Sequence, residues 1–250
     1  MSSINRFKNI LAFSAIICFL LTFNNVSAQS KFRFGLKAAP LVSWIKPDFQ
    51  DIPADFTSEN GGLRVGFMWG PMAEIALSET FLVSTGVDIN YTSGKIEGTL
   101  KDPISGSLVE WDQLYKTRFI ELPVMLKFRT KEIGYLRYFG LFGMGAGFRY
   151  SASTEFSRSS NTSTETINND DSEKYIKSFR GSLQIGAGAE YSLAGNTALV
   201  VSVIFNNGLT NMLQNQFEEP IVGSLVQDPF NAITENGITN YMQLNIGILF

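Results

Sequence analysis

Apolar and polar residues alternate along most of this chain from residue 31 onward. A period of two indicates β-strands, because successive side chains of a strand point to opposite faces. Several of the alternating segments are longer than the usual soluble strand of about 5–6 residues and long enough to cross a bilayer at a tilt. We predict eight strands, at 31–39, 63–77, 81–92, 117–129, 138–151, 179–193, 197–209 and 241–250.

The last segment runs to the final residue of the chain and ends on an aromatic. A terminal strand of this kind is typical of outer-membrane β-barrels, in which the last strand pairs with the first and an aromatic residue belongs at the membrane–water boundary. We therefore predict an all-β, eight-stranded antiparallel up-and-down transmembrane barrel. Its predicted C-terminal barrel-assembly signal consists of Tyr241, Leu244, Ile246, Ile248 and Phe250.

The polar face of these segments combines glycines with long charged side chains. A narrow eight-stranded lumen needs this mixture of small and large residues. Because buried charges must be paired or hydrated, we expect a salt-bridge network that fills the barrel, with a narrow anion-selective path as the alternative. The predicted lumen residues are Arg33, Lys37, Arg64, Glu74, Asp88, Glu121, Lys127, Arg149, Arg180 and Glu190.

Aromatic residues on the apolar face collect near the two ends of the strands. Two aromatic girdles around an aliphatic band indicate a membrane-spanning surface, whereas a soluble barrel with its apolar face inside does not require them. The predicted girdle residues are Phe32, Phe81, Phe128, Tyr138, Tyr191 and the terminal Phe250 at one end, and Tyr91, Phe148, Tyr150, Phe179 and Phe205 at the other.

The links between strands alternate between short and long. Long links are predicted at 40–62, 93–116, 152–178 and 210–238, and they carry an excess of acidic residues. In outer-membrane barrels the short turns are periplasmic and the long loops extracellular, so both termini are expected in the periplasm. The apolar residues within 210–238 suggest a possible protein partner at that loop.

The first 28 residues have the features of a cleaved secretory signal peptide. Arg6 and Lys8 precede an apolar stretch at 10–23, and small residues end at Ala28. We therefore predict a signal peptide at 1–28 and a barrel domain at 29–250.

The amino-acid composition excludes several kinds of catalytic site, metal site and cross-link. The chain has no histidine, and its one cysteine, Cys18, lies within the predicted signal peptide. Nucleophiles activated by histidine and zinc sites with histidine ligands are therefore excluded, as is a disulfide framework. We predict a protein that is not an enzyme and has no catalytic, metal-binding or cofactor-binding residues.

A proline lies within the fourth predicted strand. Pro123 has no N–H to donate to a neighbouring strand, and a closed barrel offers no free edge for it. We therefore expect a β-bulge at this position.

The segment 118–128, Arg-Phe-Ile-Glu-Leu-Pro-Val-Met-Leu-Lys-Phe, resembles a run found in the PorT-like outer-membrane β-barrel family of Bacteroidota, which are Gram-negative bacteria. The opening segment 34–38 is similar to the first strand of that family, although Ala39 stands where glycine is frequent. The resemblance covers the chain after the signal peptide. It implies an eight-stranded outer-membrane barrel without catalytic activity, and the eponymous member belongs to the type IX secretion and gliding machinery.

Three functions are compatible with the sequence. The first is a non-enzymatic structural or accessory protein of the cell envelope whose external loops face partners, linked to type IX secretion by resemblance only. The second is a narrow small-solute channel, and the third is a soluble periplasmic ligand-binding barrel. The expected contacts are outer-membrane lipid, lipopolysaccharide and the barrel-assembly machinery during insertion, without nucleic acid.

Overall fold

The computed structural model describes residues 32–48, 56–101, 107–159, 164–169, 176–213 and 236–250. The predicted signal peptide and most of the predicted partner loop at 210–238 lie outside these ranges. No helix within them is long and apolar enough to cross a membrane. The described chain forms β1 (Phe32–Pro47), β2 (Glu59–Asn60), β3 (Arg64–Ala76), β4 (Phe81–Gly86), β5 (Asp88–Lys101), β6 (Leu108–Arg129), β7 (Leu136–Ser159), β8 (Thr164–Asn169), β9 (Phe179–Ala194), β10 (Thr197–Gly208) and β11 (Gly237–Leu249).

The strands close into an antiparallel ring. Neighbours along the chain pair with each other, and β1 pairs with β11 from Gly35 opposite Leu249 to Pro47 opposite Gly237. Strands β4 and β5 together occupy one position in this ring, which therefore has eight strands among the described residues. The predicted eight-stranded up-and-down barrel is confirmed.

The break between β4 and β5 has a physical cause in the two neighbouring strands. Val87 donates its N–H to the carbonyl of Pro71 on β3, and neither Pro71 nor Pro123 on β6 has an N–H to return. The register of β6 against β4 is the same as its register against β5, so the strand continues in line after the break.

The prediction of a β-bulge at Pro123 is wrong. Strand β6 passes through this proline without a change of register on either side. The register shift lies instead between Arg118 and Phe119, where β7 inserts Tyr150 between the partners Arg149 and Ser151.

The strands are longer at one end of the barrel than the alternation predicts. Strand β6 begins at Leu108, nine residues before the predicted start at residue 117, and β7 continues to Ser159. Much of the segments predicted as long links is therefore strand. Two short strands, β2 and β8, pair with β5 and β7 in this extension.

The prediction missed the extension because the two faces of the strands exchange character there. On β6 the outward positions from Phe128 to Ile120 are apolar, whereas from Arg118 to Glu110 most of them are charged or polar. The inward positions change in the opposite sense, from Lys127 and Glu121 to aromatic residues. The nine residues from 120 to 128 match the length that a tilted strand needs to cross a bilayer.

The inside of the extension is an apolar cluster, which we call the outer core. It receives side chains from β1, β5, β6 and β7 and from segments that follow or precede strands. Phe56 stacks on Trp111 with ring centroids 5.3 Å apart. The members are Ile45, Phe56, Ile96, Trp111, Tyr115, Ala152, Ile176, Met212 and Leu213. Buried apolar side chains of the described residues thus fill the inside of the extension.

The outward face of the membrane part is apolar and exposed. Val65, Val124 and Ile185 are 81%, 59% and 54% exposed. The soluble periplasmic barrel considered above needs its apolar face inside, and the membrane part has it outside. Lipid is the surrounding that these side chains require.

The exchange of faces locates the bilayer and can be tested on one strand. Val124→Arg introduces a charge at the middle of the apolar outward stretch, where it is expected to cost about 2–4 kcal/mol of unfolding free energy. Leu114→Arg is the matched control, since it also points outward from β6 but lies in the polar extension, and we expect a cost below about 1 kcal/mol. Urea unfolding of the barrel in lipid vesicles measures both. Equal costs at the two positions would contradict this placement of the membrane.

Candidate functional site in the barrel lumen

The lumen end nearest the short turns holds an ion-pair network, the lower charge cluster, made of Arg33, Glu74, Lys127, Glu190 and Arg129. The ammonium of Lys127 contacts both Glu74, at 2.5 Å, and Glu190. Arg33 bridges the same two carboxylates, with 3.0 Å to Glu190, and Arg129 lies 3.6 Å from Glu190. Each side chain occupies an inward position of its strand, so closure of the ring brings β1, β3, β6 and β9 together at this point.

The lower charge cluster is almost completely removed from solvent. The Lys127 side chain is 1% exposed and that of Glu190 is 0% exposed. Buried ions are tolerated where opposite charges and hydrogen bonds replace water, and here two acids alternate with three bases. Such a network is a structural filling of the lumen.

An apolar layer lies beside this cluster. The ammonium of Lys127 is 3.9 Å from the ring centroid of Phe139, a cation–π contact. Charged and apolar side chains together line a cavity of about 30 Å³, which is room for one or two water molecules. The apolar residues are Met72, Met125, Phe139, Leu141, Val200, Ile204 and Leu249.

A second pair lies further along the lumen. Lys37 on β1 places its ammonium 2.8 Å from the carboxylate of Asp88 on β5, and both side chains are nearly buried. Gly70 on β3 is the register partner of Lys37. A Cβ on Gly70 would lie 3.3 Å from the Asp88 Cα and 1.8 Å from the Val87 carbonyl oxygen. The missing side chain therefore lets Lys37 reach across β3 to its partner.

Glu121 is the centre of a third group, the Glu121 cluster. Its side chain is 1% exposed and its carboxylate accepts five hydrogen bonds. Such a carboxylate has its lone pairs occupied by the protein itself. The donors are Arg180 (3.1 Å), Ser182 (2.7 Å), Gln184 (2.6 Å), Asn206 (3.0 Å) and the Tyr241 hydroxyl (2.8 Å).

The donors of Glu121 are also tied to one another. Arg180 donates to the Asn206 side-chain oxygen at 2.5 Å and to the Thr239 carbonyl at 3.0 Å, and its guanidinium lies over the rings of Phe119 and Tyr241. Asn206 donates to the Tyr241 hydroxyl at 2.8 Å. The cluster therefore links β6 and β9 with the closing strands β10 and β11.

Two of the predicted lumen residues lie outside these groups. Arg64 is half-buried toward the long-link end of β3 and forms no ion pair with another described residue. Arg149 is half-buried next to the inserted Tyr150. The other eight are brought together as the three groups described above.

Sequence reasoning also missed several partners. Arg129 was assigned to no group, and the neutral donors of Glu121 carry no charge that would mark them as lumen residues. Tyr241 was predicted only as part of the terminal signal, but its side chain points inward and is 2% exposed. Inward position on a strand was the available signal for Ser182, Gln184 and Asn206.

The predicted girdle and terminal residues lie mostly on the outward face. Phe81 meets Phe128 at 5.3 Å between centroids at the short-turn end, and Phe148 meets Phe179 at 5.5 Å at the other. Phe205 is half-buried, since it stacks on Trp44 at 6.1 Å. The exposed outward set is Phe32, Phe81, Tyr91, Phe128, Tyr138, Phe148, Tyr150, Phe179, Tyr191, Leu244, Ile246, Ile248 and Phe250.

The chemistry of the lumen follows from its contacts. Most charged groups inside it are matched to a partner within the protein, and the described residues contain no group of three or more carboxylates placed to hold a metal ion. This arrangement is best suited to linking strands of the eight-stranded ring at three levels along the lumen: the lower charge cluster, the Lys37–Asp88 pair and the Glu121 cluster.

A family model described as "Outer membrane protein beta-barrel domain" matches residues 27–214, which is more than half of the 250-residue chain. The comparison with curated proteins found no match.

Three solved structures illustrate the likeness in fold. OprG from Pseudomonas aeruginosa is 11% identical, with 90% of this chain and 99% of that chain covered and a TM-score of 0.43. Neisserial surface protein A is 11% identical, with 88% and 98% covered and a TM-score of 0.38. Ail of Yersinia pestis, in complex with the heparin analogue sucrose octasulfate, is 16% identical, with 88% and 99% covered and a TM-score of 0.34.

Removing one partner of the lower charge cluster should destabilise the barrel strongly. Lys127→Met removes one of the two cations that contact both buried carboxylates, Glu74 and Glu190, and we expect a loss of about 3–5 kcal/mol of unfolding free energy. Lys116→Met is the control, because its ion pair with Glu155 lies on the exposed surface and is worth about 0–1 kcal/mol. Urea titration followed by tryptophan fluorescence compares them. Similar losses of unfolding free energy in the two variants would show that the buried cluster contributes no more to stability than an exposed ion pair.

The Glu121 cluster should tolerate no added volume. A Cβ on Gly145 would lie 2.1 Å from Glu121 Oε1 and 2.5 Å from Gln184 Nε2, whereas a Cβ on Gly140 of the same strand meets nothing within 4 Å. We expect Gly145→Ala to cost about 1–3 kcal/mol by overpacking and Gly140→Ala to cost clearly less. The midpoint temperature of the gel shift between unboiled and boiled samples measures this difference. A Gly145→Ala barrel as stable as the Gly140→Ala barrel would refute the close packing around Glu121.

Proposed function

This chain belongs to the family of outer-membrane β-barrel domains, and we propose that it is a closed, non-conducting and non-enzymatic barrel with a structural or accessory role in the cell envelope. Residues 27–214 carry the family match. Its activity then resides on its outer surface and its long-link end, and its lumen serves stability.

The observation that carries this proposal is the filling of the lumen at successive levels. The lower charge cluster, the Glu121 cluster and the outer core follow each other along β6 at Lys127, Glu121 and Trp111. An eight-stranded ring leaves an interior about wide enough for side chains alone, and the cavity beside the lower charge cluster has about 30 Å³, which is room for one or two water molecules. Conduction would require several buried ion pairs to separate together.

We further propose that the end carrying the outer core faces the exterior and that both termini are periplasmic. The extension of β5, β6 and β7 at this end supports the orientation, because outer-membrane barrels have short periplasmic turns and longer external segments. The extension also presents a polar outward face, with ion pairs between Lys95 and Glu97 and between Lys116 and Glu155. A protein partner would meet this face and the loop at 210–238.

The assignment to the PorT-like branch and to type IX secretion rests on the resemblance in segments 34–38 and 118–128. Both segments lie in barrel strands, β1 and β6. Three of their four charged residues, Lys37, Glu121 and Lys127, are engaged inside the lumen, so the resemblance supports a shared barrel architecture more directly than a shared partner.

Electrical recording tests the proposal. The purified protein, reconstituted in a planar lipid bilayer, should give no stable, salt-dependent conductance steps. A sixteen-stranded porin prepared in the same detergent is the positive control, because its lumen is an open aqueous channel. Reconstitution is verified by the gel shift between unboiled and boiled samples.

Two outcomes would overturn the closed barrel. One is a reproducible conductance step that scales with salt concentration in the natural sequence. The other is a conductance that disappears in Arg180→Gln while the gel shift persists, since it would identify an ion path through the Glu121 cluster.

A further inference from the structure

Arg118 differs from the other described arginines in its surroundings. It lies on the outward face of β6 and is exposed. It is the outward position next to Ile120, where the apolar stretch from 120 to 128 stops. No described residue forms an ion pair with it, whereas the neighbouring Lys95 and Lys116 are paired with Glu97, Asp112 and Glu155. At the boundary of the membrane surface, an outward guanidinium thus lies without a counter-ion from the described part of the chain.

The residues around Arg118 form a polar and aromatic patch across three strands. Tyr91 on β5 is its register partner, and the guanidinium carbon lies 5.6 Å from the centroid of that ring. On β7 the register shift falls opposite Arg118, and it inserts the exposed Tyr150 beside the partner Ser151. Bulges re-aim side chains, and this one adds a second tyrosine to the patch.

This arrangement has the chemistry of a phosphate site in a lipid headgroup layer. The guanidinium presents planar donors that match phosphate oxygens in pairs, and tyrosines occupy the level where acyl chains meet headgroups. The contact with the Tyr91 ring holds the guanidinium near the barrel wall, and the Arg118 side chain remains exposed. The described acidic residues Glu97, Asp112 and Glu155 are already engaged by Lys95 and Lys116, so a phosphate approaching Arg118 finds a favourable partner.

We propose that Arg118, Tyr91 and Tyr150 bind the phosphate of a phosphorylated glycolipid in the leaflet that faces the long-link end. The identity of the lipid rests on the orientation proposed above, in which this leaflet is the outer one, whereas the contact between guanidinium and phosphate does not. The patch makes the protein selective for the lipids around it and anchors the barrel at a fixed depth.

Native mass spectrometry with purified lipid A as the probe tests this site. The detergent-solubilised natural protein should retain lipid A, and Arg118→Gln should weaken its apparent affinity about 5–10-fold, as expected for loss of a charge-assisted contact. Arg118→Lys should fall between the two, because it keeps the charge and loses the paired geometry. Lipid A from which the phosphates have been removed should bind the natural protein as weakly as phosphorylated lipid A binds Arg118→Gln.

Lys131→Gln is the matched control. Lys131 is exposed, forms no ion pair with another described residue and lies in the turn between β6 and β7 at the opposite end of the barrel, so its removal should leave retention unchanged. All variants must show the gel shift of a folded barrel. Equal retention by the natural protein and Arg118→Gln, equal loss in Lys131→Gln, or equal binding of the dephosphorylated lipid would each overturn the site. The conductance test does not depend on Arg118, so the closed barrel can stand or fall separately.

Discussion

Closing eight strands into one ring is the constraint on which the rest of this structure depends. The ring leaves an interior about one side chain wide in each direction, so charged residues that point inward have little water to solvate them. They must therefore find each other, as Lys127 does with Glu74 and Glu190. Glu121 gathers its donors for the same reason, and one of them, Tyr241, comes from the strand that closes the ring. Closure and the polar network thus support each other.

The same strands pass from a lipid surrounding to an aqueous one, and the residue types on their two faces change between the two. Within the membrane the outward positions are apolar and the lumen is polar, while beyond it the outward positions carry ion pairs and the inside is the outer core. The change on β6 occurs between Ile120 and Arg118, close to the register shift opposite Tyr150. A single strand such as β6 can be long because the outward residues of one half suit lipid and those of the other half suit water.

The alternation of apolar and polar residues predicts the number of strands in the ring and the inward or outward direction of most side chains. It does so because successive side chains point to opposite faces of a strand. It did not give the length of β5, β6 and β7, since a search for apolar outward residues stops where the faces exchange. The pairing of Lys37 with Asp88 depends on register and on Gly70, which lies between them without a side chain. Apart from Arg180, the partners of Glu121 are neutral residues, and Tyr241 lies 120 positions away along the chain. Only the closed ring reveals that they meet. Arg64 shows the converse, since it lies on a strand of the ring and forms no ion pair with another described residue.

The segment 118–128 shows how one stretch of sequence can serve both faces of a barrel wall. Its inward residues Glu121 and Lys127 are centres of two lumen clusters, and its first residue, Arg118, leaves the wall toward the headgroup layer. Because the inward residues make their contacts within the protein, the proposed lipid contact of this segment depends on an outward residue, Arg118. Inward and outward residues alternate along the strand, so an outward residue can be exchanged without replacing a member of the lumen clusters.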